Sequence, residues 1–273
     1  MSEEKTVIPY SQNETAKALL EYAKAQFNRK EQNVHFIPNN KDANDLLDPL
    51  GQYPHAFVLA CIMDIQVKAN NAWEIPYKIK TAIHAFDMNT LYKTSVDEIY
   101  AIFDRMHRFP TTMAERFYKA VQKIHNDYND DASEIWADNP SSGLVVSRFL
   151  QFEGVGIKVA TMATNILVRQ FNIPLKDKHC IDISPDTHTV RVFQRLGLIS
   201  EDKQIKDKKE KDNKAILKAM YMARTINPEY PGIVDYPCWK VGRDYCKARG
   251  PKCKNEQGTC PFFSFCPSKN VNT

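Results

Sequence analysis

The chain has 273 residues, enough to bury one large core or to form two lobes. Its formal net charge of +4 is too mild to argue by itself for a nucleic-acid partner, and no apolar run approaches the roughly 20 residues of a membrane span. The opening MSEEKTVIPY lacks the basic-then-apolar pattern of a signal peptide, so the expected location is cytoplasmic, nucleoid-associated if the source is prokaryotic.

Helical periodicity dominates from the start. Ala16, Leu19, Leu20, Ala23 and Phe27 recur at helical spacing, as do Phe117, Ala120, Val121 and Ile124. Ser95 and Glu98 form a capping-box pattern ahead of Ile99 and Phe103, and Thr111 is placed to cap the helix containing Phe117. Glycine is scarce and strand-like alternation nearly absent, so the fold class is all-α.

Residues 144–152 read as one helix. Val159, Met162, Ala163 and Ile166 fall on one face of another that begins at about Ile157, leaving 153–156 to turn the chain. Gly154 and Gly156 permit positive φ and close backbone approach in this helix-hairpin-helix. The first amides of the second helix would point outward, as they do at anion sites. Such a turn serves either packing alone or the binding of a phosphate. Lys158 lies on the polar stripe of its helix with Thr161, Asn165 and Arg169, the ordinary place for a solvated charge.

Further on, Asp186 precedes the run Val190, Phe193 and Leu196, which ends at Gly197, and is an N-cap candidate. His188 lies in the first turn, and Arg191 and Arg195 on the side expected to meet solvent or phosphates. The mixed-charge stretch 201–214 reads as a solvated loop, followed by a helix from about Asn213 that Asn227-Pro228 stops.

Seven cysteines in a chain of this length do not suit a disulfide scaffold. Cys246, Cys253, Cys260 and Cys266 are separated by six, six and five residues. Structural zinc pairs are usually closer and often include histidine, whereas four thiolates without histidine also suit an iron–sulfur cluster. Cluster, zinc and unligated cysteines stay open on spacing alone. Cys238 reads as a buried small residue. Lys240, Arg243, Lys247, Arg249, Lys252 and Lys254 make this end locally basic.

FEGVGIK at 152–158, PDTH at 185–188 and the cysteine tail, in that order, resemble the helix-hairpin-helix (HhH-GPD) base-excision DNA glycosylases, particularly the endonuclease III-like branch. The resemblance runs from about Pro54 to Cys266. It implies a two-lobed fold, with a six-helix lobe over 54–170 and a second lobe from 1–53 and 171–273 that carries a cluster loop at 246–266. It implies Lys158 as a Schiff-base nucleophile and Asp186 as the carboxylate that stabilises an oxocarbenium-like state. Gly154, Val155, Gly156, His188, Arg191, Gln66 and Phe109 would contact DNA, with Phe109 similar in position to the family's wedge residue.

The implied cofactor is a [4Fe–4S] cluster on Cys246, Cys253, Cys260 and Cys266, with zinc as the alternative. The implied partner is double-stranded DNA with a damaged base or abasic site, bound by a monomer away from any membrane. The implied activity is base release with associated abasic-site lyase chemistry. Two rivals are a monofunctional glycosylase, for instance for alkylated bases stacked on Trp73 and Tyr77, and a non-catalytic DNA-binding protein. Three departures stand out: Glu153 replaces the family's proline, Asp64 stands where a duplex-filling glutamine is expected, and Asn255-Glu256-Gln257-Gly258 widens the cysteine spacing.

Overall fold

A computed structural model of the protein describes residues 13–28, 36–48, 50–104, 106–256 and 258–269. The chain divides into two compact units, Glu31–Lys176 and the combination of Met1–Lys30 with Asp177–Thr273. The first is the hairpin unit and the second the cysteine unit. Among the described residues the fold is all-α apart from one short antiparallel strand pair. No helix among them is long and apolar enough to cross a membrane.

Helix α1 (Glu14–Asn28) belongs to the cysteine unit. The hairpin unit then contributes α2 (Lys41–Leu47), α3 (Pro54–Met63), α4 (Ala69–Trp73), α5 (Ile75–Ile83), α6 (Met88–Lys93), α7 (Val96–Phe103), α8 (Pro110–Tyr128), α9 (Ser142–Leu150) and α10 (Ile157–Arg169). Every residue of α3 is buried, which is why its sequence is apolar on all sides. Phe57 on this helix meets the rings of Trp73, Trp136 and Phe171. Ile37, Leu46 and Leu47 share the same core, so the chain just ahead of α3 packs with this unit.

Local signals set the helix ends. Ser95 and Glu98 form the expected capping box, each side chain accepting from the other's backbone N–H. Thr111 does not cap α8. Pro110 supplies the pre-set φ of the first helical residue, so the helix begins earlier and Phe109 takes the N-cap place.

The cysteine unit continues with α11 (Thr187–Arg195), α12 (Lys208–Ile226), α13 (Asp235–Asp244), β1 (Lys254–Asn255) and β2 (Gly258–Thr259). Half of the expected loop at 201–214 is helical. Asp207 accepts from Glu210 N at 2.7 Å, and this cap starts α12 well before Asn213. Its core joins Leu19 and Ala23 of α1 to Val192, Phe193, Ala219, Ala223, Val241 and Phe262.

Candidate functional site

The hairpin is built as its glycines require. Gly154 has φ +79°, and a Cβ there would collide with the Arg116 side chain, whose Cδ would lie 2.8 Å away. Arg116 Nε is itself buried without an acceptor. Val155 N–H donates to Phe152 O at 3.1 Å and its side chain joins the core, so Val155 fixes the turn and does not present a donor. Gly156 is the N-cap of α10 and has no side chain to accept from the first turn; nothing lies within 4 Å of where its Cβ would be. The amides beginning α10 therefore keep the open arrangement that anions bind. Glu153, the acid where the family has proline, is neutralised by Lys119 at 2.7 Å.

Lys158 is on the first turn of α10. Its Nζ lies 3.3 Å from Asp64 Oδ2, with the lysine side chain 40% exposed and the aspartate side chain 10% exposed. Asp64 is the residue that ends α3, and its backbone N–H donates to Cys61 O. An acid 94 residues away in sequence is thus the ion-pair partner of the candidate nucleophile. Sequence reading noticed Asp64 only as a departure from the expected glutamine. Gln66, two positions on, is exposed with φ +54°, a backbone state uncommon outside glycine.

Phe109 is 37% exposed at the start of α8. Buried His107 holds its backbone: Phe109 N–H donates to His107 Nδ1 at 3.1 Å, while Nε2 faces Met63 O at 3.3 Å. Those two bonds require the neutral ring with its proton on Nε2. Burial also lowers the pKa of His107. Trp73, considered as a base-stacking residue, is only 5% exposed and stacks on Phe36 in the core. Tyr77 packs against the same core.

In the cysteine unit, Asp186 is the N-cap of α11, its Oδ1 accepting from Thr189 N at 2.8 Å. The segment leading to it is tied down on the way. Asp182 binds Arg224 through both oxygens, at 2.8 and 2.7 Å. Ser184 N donates to the buried Asp235 at 2.9 Å. From the other side α13 approaches at Gly242, where a Cβ would lie 2.7 Å from that of His188.

The arginines of α11 turn inward. Arg191 donates to Cys246 O at 2.7 Å, Gly242 O at 3.1 Å and Thr187 O at 3.1 Å, and its Nη2 lies 2.9 Å from His188 Nδ1. Arg195 donates to Lys247 O at 2.7 Å and to Cys246 Sγ at 3.3 Å. Both were expected on a side open to solvent or phosphates; here the loop carbonyls take their donors. The exposed cations in this region are instead Arg243, Lys247, Arg249, Lys252 and Lys254.

Cys246, Cys253, Cys260 and Cys266 line one cavity with Val192, Leu196, Val241 and Phe262. The wide middle spacing is closed by a hairpin. Lys254 pairs with Thr259 and Asn255 with Gly258, and Cys260 N donates to Cys253 O at 2.7 Å, so the strand pair brings these adjacent cysteines together. Among the described residues no group of three or more His, Cys, Asp or Glu is arranged to hold a single metal ion. The donor set, four thiols on apolar walls with Arg195 beside one sulfur, suits an iron–sulfur cluster. Burial pushes the Cys260 thiol up to about 11 and raises those of Cys253 and Cys266, so metal binding there would release protons. Cys238 is fully buried in the unit's core, as expected.

No family model matches this sequence, nor does any curated protein sequence. Solved structures do match its fold. A trapped endonuclease III–DNA covalent intermediate, an estranged-adenine complex, aligns at a TM-score of 0.59 and 19% identity over 93% of this chain and 95% of that one. A non-covalent endonuclease III–DNA complex aligns at 0.57 and 17%, over 84% and 94%. A thermostable thymine-DNA glycosylase aligns at 0.56 and 14%, over 96% and 100%. The chain thus has the all-helical fold of the helix-hairpin-helix DNA glycosylases, shared with endonuclease III and thymine-DNA glycosylase.

Proposed function

We propose that this protein is a base-excision DNA glycosylase with associated abasic-site lyase activity. It binds double-stranded DNA carrying a damaged base, turns that nucleotide out of the stack and cleaves its N-glycosidic bond. The observation that carries this reading is the placement of Lys158. It stands in the first turn of α10, immediately after a hairpin with open amides, in a fold that has endonuclease III among its members.

In this reading the first amides of α10 and the exposed cations of the cysteine unit hold the phosphate backbone, a sequence-independent and salt-sensitive attraction. Phe109, with its ring exposed and its backbone anchored by His107, acts as the wedge, and exposed Gln66 contacts the opened duplex. Val155 supports the hairpin turn, Arg191 from within α11 holds the carbonyls of Cys246 and Gly242, and His188 lies at the start of the Asp186 helix. Asp186 is the carboxylate that stabilises positive charge developing on the sugar as the base departs. Lys158 Nζ attacks C1′ and forms the Schiff base, from which β-elimination cleaves the strand.

Cys246, Cys253, Cys260 and Cys266 would hold a [4Fe–4S] cluster, with zinc as the alternative. When bound, the cluster supplies iron–thiolate bonds that staple the basic loop to the unit's core.

The test is to incubate purified protein with duplexes carrying a panel of oxidised, deaminated and alkylated bases, scoring base release separately from strand scission. Release from at least one lesion, lost in Asp186→Asn, is the expected result. Release without scission would make the enzyme monofunctional, and DNA binding without release from any lesion would sink the glycosylase reading.

A further inference from the structure

Asp64 is buried, and Lys158 is the one cation that ion-pairs with it among the described residues. An ionised carboxylate in such a place needs a charged partner, and the pair therefore holds the lysine head at a fixed point beside the hairpin. The same contact bears on reactivity. A lysine attacks only as a neutral amine, and the carboxylate oxygen at 3.3 Å is placed to take its proton.

We infer that Asp64 is a second catalytic carboxylate, the proton carrier for Lys158 in Schiff-base formation. This rests on the reading of Lys158 as nucleophile. A proton passes from Nζ to Oδ2, leaving a neutral amine and a carboxylic acid. The amine lone pair adds to the C1′ aldehyde of the opened abasic sugar, and the second nitrogen proton moves to the former carbonyl oxygen, giving a carbinolamine. The Asp64 carboxyl then returns its proton to that hydroxyl, which leaves as water as the C=N bond forms. The product is the protonated Schiff base, and Asp64 ends as it began, ionised beside a positively charged nitrogen.

This also accounts for an acid standing where the related fold places a duplex-filling glutamine. With its side chain 10% exposed and held by Lys158, Asp64 cannot reach out to fill a gap in the duplex. Gln66, exposed two residues later, is free for that task.

The experiment measures single-turnover borohydride trapping on a duplex with a preformed abasic site, beside the dissociation constant for the same duplex carrying a tetrahydrofuran abasic analogue. Wild type should trap and Lys158→Ala should not. If wild type forms no adduct, or Lys158→Ala still does, the nucleophile reading fails and takes this inference with it. Given both expected results, Asp64→Asn should trap about 100-fold more slowly, within the usual range for proton-transfer catalysis. Its affinity for the analogue should stay within about threefold, since the phosphate contacts that dominate binding lie elsewhere.

Trapping by Asp64→Asn at the wild-type rate would overturn the role of Asp64 and leave Lys158 in place. So would equal losses of rate and affinity, the sign of a purely structural pair. Asp64→Ser adds a readout independent of how well Asp64→Asn folds. Its trapping rate should rise with added formate at constant ionic strength, while wild type does not respond. No response to formate would also overturn the proposal.

Discussion

The two units hold their candidate reacting groups by different means. In the cysteine unit, Asp186 is held by its own helix: it accepts from Thr189 N, three residues on, and would keep that place as any capping residue does. In the hairpin unit, Lys158 is held by a side chain from another helix end, Asp64, which a single substitution removes. A group fixed by local backbone can be changed chemically without being moved. A group fixed by a distant partner cannot, so its variants need separate controls for position and for chemistry.

The largest effect expected from this contrast is in Asp186→Asn. Asparagine caps helices about as well as aspartate, so the fold should be unaffected, with a melting temperature within about 2 °C of wild type. Base release should nonetheless fall by roughly 1,000-fold, because the amide carries no charge to stabilise the oxocarbenium-like state. Single-turnover base release and a thermal melt on the same preparation check both halves. Unchanged release would return Asp186 to the status of a helix cap.

The next effect concerns the cysteine loop. Arg191 and Arg195 bind its carbonyls from within the unit, and the hairpin at 254–259 draws Cys253 to Cys260. If the proposed cluster is bound, the wild type should carry iron and a brown colour that Cys253→Ser loses, and backbone amides of 246–266 should then exchange faster with deuterium. Amides of α9 and α10 should keep their protection, because their core is separate. If exchange accelerates equally in both units, they do not hold their sites independently.

Gly154→Ala tests the hairpin in the same way. The position combines a left-handed φ with the Arg116 side chain against the missing Cβ, so alanine should destabilise the hairpin unit by about 2–4 kcal/mol. The measurement is chemical denaturation, with Arg116→Ala added as a second substitution. Because the removed guanidinium makes room for the methyl group, the double variant should recover part of the loss. Full additivity would mean that backbone strain alone is responsible.

What was legible in the sequence follows the same division between local and distant causes. The capping box at Ser95, the cap at Asp186 and the start of α10 near Ile157 depend on residues a few positions apart, and the structure agrees with each. Thr111 was misplaced because Pro110 also starts helices, which moves the N-cap two residues earlier, to Phe109. The early start of α12 was hidden by a charge-rich first turn that resembles a loop; Asp207 was the signal that could have revealed it.

The site residues divide likewise. Lys158, Asp186 and the four cysteines stood out by motif. Asp64 as partner of Lys158, Lys119 as partner of Glu153, and Arg116 beneath Gly154 are contacts between segments distant in sequence. The outward side of α11 was misjudged for the same reason: periodicity identifies the polar face of a helix but not what covers it. The cover proved to be the cysteine loop.

The smallest effect expected is in Gly156→Ala, two residues from the most sensitive glycine. Gly156 has φ −102° and ψ −178°, extended backbone that alanine adopts freely, and open space lies where its Cβ would project. Alanine restricts the unfolded chain, a gain of about 0.4–1 kcal/mol, but is a poorer N-cap than glycine by a similar amount. The two should nearly cancel, leaving stability within about 0.5 kcal/mol of wild type. DNA affinity should respond instead, since the added methyl group enters the space an incoming phosphate would use. A several-fold weaker dissociation constant with an unchanged melt would show that the two glycines have separate duties, Gly154 for packing and Gly156 for approach. A loss of stability equal to that of Gly154→Ala would mean the hairpin is a packing turn throughout.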